Sequence, residues 1–480
     1  MCRRRKRAAG ALLLMLVGWP WARAAAVSFQ EERDLGAQFA LEARLRLPLL
    51  DDPGLTGYIE RIGQSIVQQL DDSFFEYHFF IVKDPSINAF AVPGGYVYVN
   101  TGLVTRASSD DEIAGVLGHE IGHVHAHHLA RQQESTELMN YATLLGVLLS
   151  VVHPAIGSLA TAANAANQLR YQRQFEQEAD YLGARYMQAA GYDPHGMLDF
   201  FKKIADEQRL SAAFVPPYLL THPLTDERLN NLEAVLRTQQ WVPRPQAAEN
   251  VTLRRLQVVA RARTEPPGDV VAAYRQALEQ HPGDSTARYL LGVAYLETGQ
   301  LETAQQILQG ARKQGALAAE RELGRVALRL RQPQRAYDLL TGALAREPHD
   351  AEVLTDLART NEVLGDQAAA MEAYRKAVAM APDMEAAHHG LGVLAGRAGD
   401  EAEGLYHLAT ASYLSGDYER ALNQYVRAEK LLPHTDVRLA AVEERVKQLS
   451  QFRRVTPPPT PNDHPRATPL RSGDQADRTR

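Results

Sequence analysis

The sequence predicts two folded parts in series, an α+β domain and an all-α solenoid. Three observations carry this prediction. An H-E-x-x-H motif at residues 119–123 lies in a proline-free stretch with helical spacing. A Pro-Gly-Gly turn at residues 93–95, flanked by alternating Tyr and Val, is typical of a β-hairpin. Further along the chain, small and apolar residues recur every 34 positions, which is typical of stacked helical repeats.

The first 26 residues are typical of a secretory signal. A basic start (residues 3–7) precedes an apolar run (residues 11–17) and an Ala-x-Ala segment with cleavage expected after Ala24 or Ala26. The apolar run is too short for a spanning helix, which needs about 20 residues. Because this segment is typical of a secretory signal, we expect the mature chain to be periplasmic. The single cysteine, Cys2, lies in this segment, so we expect the mature chain to have no disulfides.

The H-E-x-x-H motif predicts a metal site on a helix. Residues four apart share a helical face, so His119 and His123 can bind one ion, and Glu120 beside them can take a proton from water. We expect this helix to begin at a capping box formed by Ser109 and Glu112 and to run to about Arg131. Small residues follow one face at four-residue spacing: Ala114, Gly118, Gly122 and Ala126. Because glycine inside a helix is unfavourable, this stripe predicts close packing against another backbone.

A second helix, from Arg173 to about Ala190, is expected to supply the third ligand. Glu176 and Asp180 share one face, so one carboxylate can bind the metal while the other orients a ligand histidine. Glu178 points elsewhere and is expected to face solvent. Ordinary surface charge is the alternative for these acids. For the histidines after the motif, a solvent-facing or supporting role is favoured over metal binding: His125, His127 and His128.

These motifs resemble the gluzincin metallopeptidases, which include the CaaX prenyl endopeptidases and the HtpX-type membrane proteases. The resemblance rests on H-E-x-x-H, on F-E-x-x-A-D at residues 175–180 and on the hairpin at residues 88–103. It implies a zincin-like domain that binds one Zn²⁺ through His119, His123 and Glu176, with Asp180 as the orienting carboxylate. It also implies that the edge strand of the hairpin aligns an extended substrate: Asn88, Ala89, Phe90 and Ala91. A purely structural hairpin is the alternative.

The same resemblance extends to His222, Pro223 and Arg228. It implies that His222 either hydrogen-bonds the reacting carbonyl oxygen or occupies the open zinc position, which leaves the enzyme latent. Arg228 would then help to stabilise the oxyanion. A histidine preceding a proline at a helix entrance is the structural alternative.

The apolar stretch at residues 141–163 raises the question of whether this part of the chain contacts a membrane. His153 and Pro154 interrupt it, so a spanning helix pair is disfavoured. We expect a hairpin that covers the active-site cleft or dips into a membrane surface, with an ordinary buried helix as the alternative.

The C-terminal half matches the tetratricopeptide pattern. One set of positions recurs after 34 residues: Ala336, Leu340, Ala343 and Pro348 correspond to Ala370, Tyr374, Ala377 and Pro382. Such repeats stack into a solenoid whose concave face binds a protein segment, or which scaffolds oligomers. We expect an irregular unit at residues 399–409. The predicted parts are a signal (1–26), a metallopeptidase domain (27–240), repeats (241–450) and a disordered tail (451–480).

The combination of secretion, peptidase motif and repeats resembles periplasmic proteases that assist β-barrel assembly. It implies a zinc metalloendopeptidase with a chaperone-like role in the assembly and quality control of outer-membrane β-barrel proteins. Its partners would be unfolded or misassembled outer-membrane proteins and, through the repeats, the barrel assembly machinery. The net charge of −6 disfavours nucleic acid as a binding partner. Two alternatives stay open: a repeat-based chaperone or adaptor with a latent zinc site, and a general periplasmic protease of misfolded proteins.

Overall fold

The computed structural model describes residues 28–135, 173–210, 215–238 and 250–455. The predicted signal, the apolar stretch at residues 141–163 and most of the predicted tail lie outside these residues. Within them, no helix has both the length and the apolar character needed to cross a lipid bilayer.

The N-terminal part is a small mixed sheet surrounded by helices, as predicted for an α+β domain. Its elements are α1 (Phe29–Arg46), α2 (Pro53–Val67), β1 (His78–Val82), β2 (Ala89–Val92), β3 (Tyr96–Asn100), α3 (Thr101–Arg106), α4 (Asp110–His125), α5 (His128–Ser135), α6 (Arg173–Ala189), α7 (His195–Leu210), α8 (Pro217–Thr221) and α9 (Asp226–Thr238). Strand β3 is central, parallel to β1 and antiparallel to β2, so β2 is an edge strand. Gly94 and Gly95 adopt φ values of 85° and 95° in the β2–β3 turn, which confirms the hairpin.

Helix α4, which carries the H-E-x-x-H motif, is buried along almost its whole length. The small-residue stripe explains how it packs. A Cβ atom on Gly122 would lie 3.0 Å from the backbone oxygen of Ala179 in α6, and one on Gly118 would lie 3.0 Å from that of Gly183. The close approach of two backbones predicted from the stripe is therefore present, and it brings α4 against the helix that carries Glu176.

Two details of α4 differ from the prediction. The helix ends at His125 rather than near Arg131, because His127 adopts a left-handed conformation (φ 52°) and the chain reverses before α5. Ser109 caps the helix, but the Glu112 carboxylate accepts a hydrogen bond from the backbone N–H of Ser108 (2.7 Å). The predicted capping box is therefore incomplete.

The C-terminal part is a succession of antiparallel helix pairs, as predicted for a solenoid. Its elements are α10 (Val251–Thr264), α11 (Pro267–Gln280), α12 (Ser285–Glu297), α13 (Leu301–Lys313), α14 (Ala319–Arg329), α15 (Pro333–Arg346), α16 (Ala351–Leu364), α17 (Gln367–Met380), α18 (Glu385–Arg397), α19 (Glu401–Leu414), α20 (Tyr418–Leu431) and α21 (Leu439–Val455). In three of the described pairs a glycine of the first helix faces a leucine of the second: Gly292 and Leu308, Gly324 and Leu340, and Gly392 and Leu408.

Two predictions about this part are wrong. Helix α19 is continuous and packs on α18 through Gly392 and Leu408 in the same way as earlier pairs, so residues 399–409 are not irregular. Helix α21 extends to Val455, so the predicted tail cannot begin at residue 451.

Helix α10 belongs to both parts of the chain. Its residues Leu253, Leu256 and Val259 lie in the core of the N-terminal part, whereas Val258 lies in the core of the first repeats. The Gln257 side chain donates to the carbonyl oxygen of Ala107 (2.7 Å), just before α4. The predicted boundary at residue 241 therefore precedes a helix that completes the first core.

Candidate metal centre

Four buried side chains from three segments of the chain converge beside α4. His119 and His123 lie on α4, Glu176 lies on α6, and His222 follows α8. The two Nε2 atoms of His119 and His123 are 3.0 Å apart. Glu176 places Oε1 3.4 Å from His123 Nε2 and Oε2 3.6 Å from His119 Nε2. One ligand atom from each of the four residues lies within 4.8 Å of all the others.

The spacing and chemistry of these atoms fit a tetrahedral metal ion. Metal–ligand bonds of about 2.0–2.1 Å place tetrahedral ligand atoms about 3.3–3.4 Å apart. The two histidine nitrogens are 3.0 Å apart, and each has a Glu176 oxygen at 3.4 Å (Oε1, from His123) or 3.6 Å (Oε2, from His119), so the separations lie on either side of that value. Two imidazoles and a carboxylate are also a common donor set for catalytic zinc. The residues present therefore fit the metal that the motif predicts.

His222 lies at the fourth corner of this group. Its Nδ1 atom is 3.3 Å from His119 Nε2 and 3.0 Å from Glu176 Oε1. Its ring stacks on Tyr218, with centroids 4.9 Å apart. Burial lowers the pKa of His222, but the Glu176 and Glu120 carboxylates outweigh burial, and the net pKa is raised. His222 therefore lies among the possible ligands, and the choice between its two predicted roles stays a prediction.

Glu120 lies next to the ligand atoms and is fully buried. Among the described residues its Oε1 atom has no hydrogen-bond partner, and His222 Nε2 is 3.6 Å away. Burial raises the pKa of Glu120 above the ordinary glutamate value, although His222, His119 and a hydrogen bond from the Ala91 backbone oppose this shift. A buried carboxylate with a raised pKa suits a general base better than a solvated one.

Asp180 and Arg228 support the ligands from behind. Asp180 Oδ1 lies 2.9 Å from His119 Nδ1, the nitrogen that faces away from His123. Arg228 binds both oxygens of Asp180 (2.6 and 2.7 Å), and its Nη1 is 2.5 Å from Glu176 Oε2. All three guanidinium nitrogens contact carboxylates, so an oxyanion role requires Arg228 to release one of them. This pairing had no signal in the sequence, where 48 residues separate Arg228 from Asp180.

The predicted substrate strand borders the site. Strand β2 lies along α4, and the backbone of Ala91 hydrogen-bonds Glu120. Asn88, Ala89 and Phe90 have buried side chains, and the Asn88 carbonyl accepts from the Asn100 N–H (3.0 Å). Ala89, Phe90 and Ala91 therefore lie in the edge strand, which Asn88 directly precedes, and Ala91 contacts the general-base candidate.

The remaining histidines lie outside the ligand group. His125 is partly exposed against Tyr186, and His127 pairs with the buried Glu32 (2.6 Å). His128 is buried, and it contacts His123. Glu178, predicted to face solvent, is partly exposed but pairs with His128 (3.2 Å). Sequence reasoning missed Glu32 and this use of Glu178, because both contacts join segments distant in sequence.

We expect Gly183→Ala to weaken metal binding and to lower stability by about 1–3 kcal/mol. An added Cβ would lie 2.7 Å from the backbone carbon of Gly118 and 2.8 Å from the nitrogen of His119, so α6 would have to move away from α4. Thermal melting and zinc titration would measure both effects. Gly57→Ala in α2 is the control, since nothing lies within 4 Å of its added Cβ; equal behaviour of the two variants would contradict this account of the helix contact.

Comparisons with known proteins agree with this geometry. Residues 53–236 match the model of peptidase family M48, and residues 267–321 and 321–385 match tetratricopeptide-repeat models. The chain is 35% identical over 244 residues to a putative β-barrel assembly-enhancing protease of Vibrio cholerae, covering 49% of this chain and 50% of that protein. It is 35% identical over 211 residues to the β-barrel assembly-enhancing protease of Escherichia coli, covering 42% and 43%.

A more distant similarity links the chain to a mitochondrial metalloendopeptidase, OMA1 of Arabidopsis thaliana, at 36% identity over 148 residues, which cover 31% of this chain and 29% of that protein. The chain spans about half the length, or less, of the curated relatives it matches. Within that span the family match and the convergence of H-E-x-x-H with Glu176 agree. The chain thus carries a region that matches peptidase family M48, followed by a region that matches tetratricopeptide repeats.

Proposed function

We propose that this protein is a zinc metalloendopeptidase that uses His119, His123 and Glu176 as metal ligands. The observation that carries the proposal is the buried convergence of these three side chains with Glu120 beside them. Zn²⁺ bound there would polarise the scissile carbonyl and make a water molecule more acidic.

The residues of the chain then divide the remaining work. Glu120 takes a proton from the attacking water and later delivers it to the leaving amine. Asp180 accepts from His119 Nδ1 and so keeps Nε2 of that ring available to the metal. Strand β2 aligns an extended substrate by adding it to the sheet edge, which favours unfolded polypeptide over compact proteins.

We further propose that the resting enzyme is latent because His222 occupies the fourth metal position. The pairing of its Nδ1 with the ligand atoms supports this role. Substrate binding requires His222 to leave, so the fraction of molecules with an open site limits the rate.

His222→Ala is therefore expected to raise the digestion of unfolded protein by about 10-fold or more, if the open form is a minor state of at most about 10%. Zinc content should stay at one ion per chain. His195→Ala, at an exposed histidine of α7, serves as the control and should leave the rate unchanged. A fall in the rate for His222→Ala would instead assign His222 to support of the transition state.

The wider role we propose is quality control of outer-membrane β-barrel proteins in the periplasm, including the degradation of misassembled ones. The relatives named as β-barrel assembly-enhancing proteases support it. The repeats would recruit unfolded barrel proteins or the barrel assembly machinery next to the peptidase. Peripheral membrane contact through residues 141–163 stays a prediction.

Substrate trapping tests this wider role. The full-length Glu120→Gln variant, which should bind but not cleave, is cross-linked in cells, and the captured proteins are identified. Capture of outer-membrane barrel proteins and assembly components is expected. Capture of soluble periplasmic proteins alone would favour a general protease. Normal barrel assembly in cells that carry only Glu120→Gln would favour the chaperone or adaptor.

A further inference from the structure

A row of four side chains leads from the metal centre to the protein surface. His128 Nδ1 lies 2.8 Å from His123 Nδ1, and His128 Nε2 lies 3.2 Å from Glu178 Oε2. Arg131 Nη1 donates to the same Glu178 oxygen (3.0 Å). The row begins at a buried metal ligand and ends at two side chains that are each about half exposed.

The hydrogen bonds of this row select one tautomer for each ring. His123 turns Nε2 toward the other ligand atoms, so Nε2 must be unprotonated when it binds metal. The proton of the neutral His123 ring then lies on Nδ1. The neighbouring His128 Nδ1 must then accept, which puts the His128 proton on Nε2. That proton points to a carboxylate oxygen of Glu178, which can only accept. The N–H group of each imidazole in the row therefore points to an acceptor.

The backbone reversal between α4 and α5 makes this contact possible. In an uninterrupted helix, residues five apart point about 140° away from each other, so His128 would not reach His123. The left-handed conformation of His127 turns the chain back, although that conformation is unfavourable for a residue with a Cβ. Glu32 and the rings of Phe29 and Phe75 hold the His127 side chain in place.

A second contact fixes the plane of His128. Its ring stacks on Phe175, with centroids 4.6 Å apart and planes 13° apart, while Arg131 lies over the same phenyl ring. Phe175 directly precedes the ligand Glu176 in α6. His128 is thus packed between the two helices that supply the three proposed ligands.

We propose that His128 is a positioning residue for the metal centre, which holds His123 in its metal-binding tautomer and orientation while Glu178 holds His128. This inference rests on the proposed metalloendopeptidase function. It gives His123 the support that Asp180 gives His119, with a second imidazole placed between the ligand and the carboxylate. Groups that support a metal ligand in this way are typically worth about 10- to 100-fold in metal affinity.

Zinc affinity tests the proposal without reference to activity. The zinc dissociation constant of the full chain is measured by competition with a chromophoric chelator. His128→Leu removes the acceptor and should weaken zinc binding about 10- to 100-fold. His128→Gln keeps an oxygen that can accept from His123 and an amide that can donate to Glu178, so it should recover most of the affinity. His125→Leu, at the last residue of α4 and outside the row, should bind zinc like the wild type.

Glu178→Leu provides a second variant at the exposed end of the row, where folding is least at risk. It should weaken zinc binding several-fold and shift the visible spectrum of the Co²⁺-substituted protein, because His123 loses its fixed orientation. Wild-type zinc affinity in both His128→Leu and Glu178→Leu would overturn the inference and leave the peptidase proposal intact. Equal weakening in His128→Leu and His128→Gln would reduce His128 to a packing residue and also overturn it. If the wild type binds no zinc, the metal centre itself is wrong.

Discussion

Glu120→Gln is expected to lower the rate of peptide hydrolysis by about 10²–10⁴-fold while zinc remains bound. The amide matches the carboxylate in shape and can still accept from the Ala91 backbone, but it cannot take a proton from water. Because Glu120 is not one of the grouped ligands, the zinc content should stay at one ion per chain. Digestion of an unfolded protein and metal analysis of the same sample measure both quantities.

The comparison is sharpest in the His222→Ala background. If the wild type is latent, its low rate of hydrolysis would hide the fall caused by Glu120→Gln. The single variant His222→Ala and the double variant His222→Ala with Glu120→Gln both have an open site, so their rates can be compared directly. Equal rates in that pair would remove Glu120 as the general base. Bound zinc with no digestion by any variant would favour the chaperone or adaptor.

A fragment that ends at residue 240 is expected to be unfolded or aggregated, whereas one that ends at Glu265 folds. The shorter fragment lacks α10 and with it three almost fully buried side chains of the first core: Leu253, Leu256 and Val259. Burial of such a side chain contributes about 1.5–3 kcal/mol. Loss of all three is comparable with the entire stability of a typical domain, about 5–15 kcal/mol. Circular dichroism melts of the two fragments, starting at Ser28, would show the difference.

A point substitution shows whether the loss of buried side chains, rather than the shorter chain, causes the loss of folding. In the longer fragment, Leu256→Asp should abolish the cooperative melt, while Thr252→Asp, at an exposed position of the same helix, should leave it unchanged. A cooperative melt of the fragment that ends at residue 240, at the same temperature as that of the longer fragment, would show that α10 is dispensable for the first core.

The sequence predicted the parts of the site that follow from local periodicity. The four-residue spacing of His119 and His123, and of Glu176 and Asp180, determines which side chains share a helical face. The stripe at Gly118 and Gly122 likewise predicted the contact with α6 that brings the two helices together. The predicted fold class of both parts is confirmed. The sequence could predict it because it depends on the same kind of repeating pattern.

The parts that the sequence did not predict depend on contacts between distant segments. The end of α4 carries no glycine or proline at residue 127, and His127 turns there because Glu32 and aromatic rings hold it. Arg228 pairs with Asp180 and Glu176, and no local pattern in the sequence indicates these contacts. The composition change near residue 241 marks a connection between helices but not the limit of the first core.

The shared helix α10 also sets the order in which this chain can mature. A polypeptide emerges from its N-terminus, and domains generally fold as units in that order. Here the proposed metal ligands and Glu120 emerge well before Leu253, Leu256 and Val259, which the same core needs. The core that contains α4 is therefore complete only after about 265 residues have emerged, when the start of the solenoid is already present. Nascent chains interrupted before that point would carry all the proposed catalytic residues without a finished core around them.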